Sequence, residues 1–431
     1  MMSAAHIRNG IVGSILLLLL AMVPAQAQKK FDKYRDKAQA AYEDGNYKSA
    51  LKFSDKLITK SIAKLGPNNP YLPYAYINQA QTLLENGILV EVDTTVGTAL
   101  DLSIKAFGET SQEYAAILLK AVNVMLDYGQ ILKAKLYLDE SKEIVEGTNA
   151  YEELKTAYVR AEARVLMEQG YYREAIRFID EKLPELQGLT SETITFQDQD
   201  GQTQSISLSK EEYKRNFQEY ARLLTLKGNI FRKQGNYTSS DSAFIYAEAW
   251  ILTKLNRNDR VMAENVYWQT RMLDDNGAIG FPEQGYEKAL RILSKSAHPA
   301  HRLFVDINES YIKYLIRTRE VVKAGNLERL FEKNNRKYYG QRSLNYIRTA
   351  TLQLENAFVD GNFKRLENNT LKLIAATNVV PSNHPVVVEW LDFLHKVAVA
   401  EGRYDDAKTY LEGALNLKED LYGPDAPEYH A

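Results

Sequence analysis

Gly45-Asn46-Tyr47-Lys48-Ser49-Ala50 is a short string that the chain uses again and again. Gly170-Tyr171-Tyr172-Arg173-Glu174-Ala175 and Gly402-Arg403-Tyr404-Asp405-Asp406-Ala407 repeat it: a glycine, an aromatic two residues later and a small residue five later. The glycines keep time as well. Gly45, Gly87, Gly129 and Gly170 stand 42, 42 and 41 residues apart, and Gly361 and Gly402 are 41 apart. Gly235 carries the same neighbours, Tyr237 and Ser240. A period in this range marks a solenoid of stacked units in place of one globular core.

Each unit reads as a helical hairpin. About 17 residues before the turn glycine lies a helix opening at Pro70, Gln112, Leu344 or Pro385, often behind a further glycine, as in Gly66-Pro67-Asn68-Asn69-Pro70. Proline there loses no helical hydrogen bond and presets φ, and Asn, Ser or Asp can cap the exposed N–H groups. The glycine ends the first helix in a left-handed turn. The aromatic is expected to pack back onto the first helix, and the small residue lets the two backbones approach. In Gln284-Gly285-Tyr286-Glu287-Lys288-Ala289 the same spacing places Gln284 in the glycine slot.

The Gly-x-Tyr-x-x-Ala pattern resembles the tetratricopeptide repeat family. The 42-residue spacing and the Gly423-Pro424-Asp425-Ala426-Pro427 link are similar to its longer kinesin-light-chain-type branch. The resemblance spans most of 29–431 and is strongest over 29–185 and 340–431. It implies an all-α, right-handed superhelical solenoid of about nine antiparallel helix pairs that binds a protein or peptide and performs no chemistry.

The predicted organisation is a signal peptide at 1–27, four repeats at 28–188, an inserted β-hairpin at 189–210, degenerate repeats at 211–338 and regular repeats from 339 to 431. The hairpin rests on period-two alternation in Thr193-Ile194-Thr195-Phe196 and Ser205-Ile206-Ser207-Leu208 about Asp200-Gly201. Asp198 and Asp200 do not make a calcium loop, because Thr203 stands where glycine is needed and Ser209 where glutamate is needed. Pro427 to Ala431 begins another first helix, which leaves open a longer protein with a C-terminal enzymatic or signalling domain.

Ile11 to Val23 is an apolar run of 13 residues, followed by Ala25-Gln26-Ala27. That run is too short to span a bilayer comfortably and the small-residue exit fits cleavage, so export to a periplasm or the cell surface is expected. The chain has no cysteine, which removes disulfides, thiolate metal sites and a lipid-modified N-terminal cysteine. A formal charge of −2 gives no argument for nucleic acid or an anionic membrane. His298-Pro299 and His384-Pro385 sit in helix-opening slots and lack the further ligands of a zinc site. No nucleophile elbow, phosphate loop or His-Glu-x-x-His is present, so neither metal nor cofactor is expected.

The candidate binding face is a row. Six residues before the turn glycines stand Gln39, Gln81, Asn123, Arg164, Asn229, Glu355 and Lys396, all polar. First helices line the groove in the resembled family, which also carries an Asn three positions earlier, matched here by Asn78. Amides offer donors and acceptors at once and can hold an extended peptide backbone. The 28 tyrosines suggest glycan stacking as an alternative.

Overall fold

The computed structural model describes residues 25–147, 152–197, 203–359, 361, 366, 370 and 380–424. The segment read as a signal peptide (apart from its last three residues), the Asp198–Gly201 turn, Phe363 and the stretch from Pro427 lie outside them. Seventeen helices are described. The first four hairpins are α1 Ala25–Asp44 with α2 Tyr47–Leu65, α3 Leu72–Glu85 with α4 Val92–Phe107, α5 Gln112–Tyr128 with α6 Ile131–Gly147, and α7 Glu152–Glu168 with α8 Tyr172–Gly188. Two strands, β1 Thr193–Gln197 and β2 Thr203–Ser207, then pair antiparallel with Ile194 opposite Ile206. The hairpins resume as α9 Lys210–Lys233 with α10 Tyr237–Lys254, α11 Arg260–Asp275 with α12 Phe281–Leu293, and α13 Arg302–Arg317 with α14 Val321–Tyr338. The described helices end with α15 Leu344–Val359, α16 Pro385–Ala400 and α17 Tyr404–Tyr422.

The repeat residues do the packing the hairpin requires. Ala50, Ala134, Ala175, Ala289 and Ala407 are buried, and so is Ser240, whose hydroxyl donates to the Gly228 carbonyl at 2.8 Å. The aromatic position is less uniform than expected. Tyr47 is buried, but Tyr404 is 72% exposed and does not pack back on its partner helix. Capping follows the sequence: Asn46, Ser111, Asn236 and Asp259 each accept a backbone N–H of the first turn.

The middle keeps the clock that its sequence obscures. Gln284 lies inside α12, and the turn before it is at Gly277, 42 residues after Gly235. The next turn is at Arg319, again 42 residues on, and Gly361 follows 42 later. Arg319 has φ +64°, alone among the described non-glycine residues in the left-handed region. Its side chain hid the period.

Stacked hairpins share a continuous interior, and the winding brings early hairpins back onto late ones. One apolar cluster joins Ile77, Ile117 and Val165 to Leu344, Ile347, Val386 and Trp390. Along this seam the Leu344 N–H donates to the Gly87 carbonyl at 2.9 Å and the His298 N–H to the Asp44 carbonyl at 2.8 Å. Arg302 N–H donates to the Tyr47 hydroxyl at 3.0 Å. The turns of the first three hairpins thus rest on the entrances of α13, α15 and α16. No described helix is long and apolar enough to cross a membrane.

Candidate functional site

Because first helices neighbour first helices along the stack, their exposed stripes converge on the axis of the superhelix. There they enclose a cavity of about 2030 Å³. Pockets for drug-sized ligands occupy roughly 300–1,000 Å³, so this volume suits an extended polymer better than a small metabolite.

Five of the expected row residues line it: Gln39, Gln81, Asn123, Arg164 and Asn229. Glu355 and Lys396 are not in the wall. Asn78 is buried behind it, where its Oδ1 accepts from the Lys120 ammonium at 3.3 Å. The amides are not a free ladder. Asn123 donates to the Leu119 carbonyl at 2.8 Å and accepts from Arg164 at 2.6 Å, while the same guanidinium reaches Asp127 at 2.7 Å. Gln39 donates to Glu43 at 2.8 Å, and the Asn229 oxygen accepts from Arg232 at 2.8 Å. Gln81 differs. Its Oε1 is buried with no hydrogen-bond partner among the described residues.

Charged groups beyond the row make up much of the wall. Glu219 takes Arg160 and Arg222 at 2.5 Å each, and Arg222 also reaches Glu264 at 3.5 Å. Across the seam Arg302 sits 3.7 Å from Glu85, and it lies 3.5 Å from Asp306 one turn along its own helix. Burial pushes Glu85 up to about 7, and Arg302 only partly opposes it. For Asp127 and Glu219 burial also works upward, but the arginines win: Arg164 and Arg302 hold Asp127 low, and Arg160 and Arg222 hold Glu219 low.

Two histidines replace the usual polar caps at the seam. His301 Nδ1 accepts from the Leu303 N–H at 3.1 Å, and His384 Nδ1 accepts from the Val386 N–H at 3.2 Å. His301, and not His298, is therefore the cap of α13. Burial, with help from nearby arginines, lowers both rings to about 3, so they stay neutral.

One sequence signal for this network exists. Side-chain bonds between adjacent first helices span one period: Lys120 to Asn78 is 42 residues, Arg164 to Asn123 is 41, Gln218 to Asp259 is 41 and Thr225 to Asn265 is 40. The cross-seam pairs follow no such rule.

No protein-family model and no curated protein sequence matches the chain. Solved structures do. A Rap protein complexed with competence and sporulation factor superposes with TM-score 0.53 at 10% identity, covering 91% of this chain and 99% of that one. NprR in complex with its cognate peptide NprX gives 0.51 at 11% identity over 92% and 99%. The apo form of the quorum sensor NprR from B. thuringiensis gives 0.51 at 12% over 91% and 99%. Such likeness concerns the fold, a helical-repeat solenoid of the tetratricopeptide type.

Proposed function

We propose that the protein is a non-enzymatic scaffold that binds a protein segment or extended peptide inside its superhelix, with Gln39, Gln81, Asn123, Arg164 and Asn229 among the contacting groups. The observation that carries this reading is the axial cavity of about 2030 Å³ walled by first helices. Similarity to the solved structure of NprR in complex with its cognate peptide NprX supports it. We further read the repeats as the long, kinesin-light-chain-like form, and the protein as exported on the strength of its N-terminal run. Glycan binding is less favoured. Trp390 is buried and donates to Thr351 at 3.2 Å, and Trp250 is stacked on Phe217 with ring centroids 5.1 Å apart.

The test places a photo-crosslinking side chain at Asn123 in the cavity and at Leu136, which is 67% exposed on α6. Crosslinks from envelope extract to a partner segment are expected at Asn123 and not at Leu136. The triple variant Gln81→Ala, Asn123→Ala, Arg164→Ala should weaken capture. Undiminished capture with helicity retained would count against the cavity as the binding face.

A further inference from the structure

The second helices of the hairpins turn charged faces to solvent, and α10 departs from them. Lys52 on α2, Asp139 on α6 and Glu287 on α12 are typical exposed positions, and α4, α8, α14 and α17 also expose charged residues. On α10 every exposed residue from Thr238 to Thr253 is uncharged, among them Ser242, Ile245, Tyr246, Ala249 and Leu252. The two acids of this helix are engaged sideways. Asp241 accepts from Gln269 on α11 at 3.0 Å, and Glu248 meets Lys288 on α12 at 3.5 Å.

The helix is thus apolar on two sides. Phe244, Ala247 and Ile251 are buried in the solenoid, while Ile245, Tyr246 and Leu252 stand at least half exposed. A helix apolar all round is ordinarily enclosed all round. The outer residues also keep a strict spacing, since Thr238, Ser242, Ile245, Ala249 and Leu252 advance by 4, 3, 4 and 3 positions. Such alternation is the stripe along which one helix packs on another. No residue of α10 lines the axial cavity, so a cover on this stripe leaves the cavity free.

We propose that the stripe is covered by the same stripe of a second copy, the two α10 helices packing antiparallel about a two-fold axis at Ile245. A copy fits because the order of side-chain sizes is nearly the same in both directions. Antiparallel packing sets Ile245 on Ile245, Ser242 beside Ala249 and Thr238 beside Leu252. Small residues on either side of a large centre let the two backbones approach. An uncharged stripe brings no like charges together when it meets itself. The opposed helix dipoles favour this direction, and it holds the two copies of Lys254 at opposite ends, where parallel packing would set them side by side. A bilayer surface would call for basic flanks, and α10 is flanked by Asp241 and Glu248 instead. The stripe is about 24 Å long, and one helix crossing buries less than the roughly 1,200–2,000 Å² of a standard interface. The association is therefore weak and depends on concentration.

Sedimentation velocity of the full chain over a wide concentration range tests the pairing. Wild type should pass from monomer toward dimer as concentration rises. Ile245→Glu should weaken the dimer roughly tenfold or more, because two carboxylates would meet at the axis. Circular dichroism checks that the variant keeps its fold, and Leu252→Glu serves if it does not. The chain has no cysteine, so an introduced thiol reports its own neighbours alone. Under mild oxidation Ile245→Cys should crosslink to itself. Ser242→Cys and Ala249→Cys should crosslink when mixed, and neither should do so by itself. A chain that is monomeric at every concentration, or a dimer unchanged by both glutamate variants, overturns the proposal. Crosslinking of Ser242→Cys and of Ala249→Cys each on its own would mean parallel packing and overturns it as well.

Discussion

Asn345 donates its side-chain amide to the Glu85 carbonyl at 2.8 Å, joining residues 260 positions apart. That carbonyl ends α3 and lies outside its helix's own hydrogen-bond ladder, so a late hairpin supplies the partner an early one lacks. Asn345 is itself buried, which makes the bond part of the seam's interior. Replacing it by Leu should cost about 1–3 kcal/mol, because the orphaned carbonyl stays buried. Urea unfolding gives the loss, and small-angle scattering should show a larger radius of gyration from the loosened seam.

Gly129 and Gly402 both adopt left-handed φ, +82° and +76°. They differ in what lies beyond. A Cβ at Gly129 would stand 2.2 Å from Pro385 Cγ, whereas one at Gly402 meets nothing within 4 Å. Gly402→Ala should therefore cost only the backbone term, about 1 kcal/mol. Gly129→Ala should cost a further 1–3 kcal/mol or so from overpacking of the seam. Equal losses in thermal or urea unfolding would contradict the seam contact.

Arg319 pays the left-handed penalty that every other described turn of the clock avoids with glycine. Arg319→Gly should raise stability by about 1 kcal/mol, the reverse of the usual effect of adding glycine. A destabilised variant in urea unfolding would mean that the arginine side chain contributes more than its backbone strain.

Acid and base act on the seam in opposite directions. Glu85, raised by burial to about 7 from an ordinary 4.5, holds its proton in the fold where the unfolded chain has released it. Its contribution is present below about pH 4.5 and lost as pH rises through 7. His384, lowered by burial and Arg348 to about 3 from an ordinary 6.5, contributes above about pH 6.5 and loses that contribution as pH falls. Relative to wild type between pH 4.5 and 6.5, Glu85→Gln should tilt stability upward with pH. His384→Asn, which keeps an N-cap, should tilt it downward. Each slope is at most about 1.4 kcal/mol per pH unit. Unfolding midpoints across that window check both signs, and two parallel profiles would refute the assignment.

Gln81 separates stability from binding. Its Oε1 is buried without a partner among the described residues, and the residue lines the cavity. Gln81→Met should stabilise the chain by about 1 kcal/mol by removing the orphaned acceptor. The same change should weaken peptide capture, since it removes an amide side chain from the cavity wall. A variant that gains stability and captures undiminished would remove Gln81 from the site.

Much of this architecture is local and was therefore legible. A hairpin needs a left-handed turn, a small residue at the crossing and a cap, and all three are short-range demands that Gly45, Ala50 and Asn46 answer within six residues. Solenoid stacking follows from the period, and one-period pairs such as Asn123 with Arg164 were available to the same arithmetic. Where the turn residue changed identity, at Arg319, the pattern vanished from sight while the backbone kept it. The exposed Tyr404 shows the converse, a motif residue present without its packing role.

The amino-acid sequence by itself determined the helical hairpins, their period and the polar stripe on the first helices. Only the tertiary structure decided that the winding returns hairpins one, two and three onto the entrances of α13, α15 and α16. That closure depends on small rotations accumulated over many repeats, and no single residue encodes their sum. It gathers Glu85, Arg302 and His301 at one seam, where they line the same cavity as the polar row.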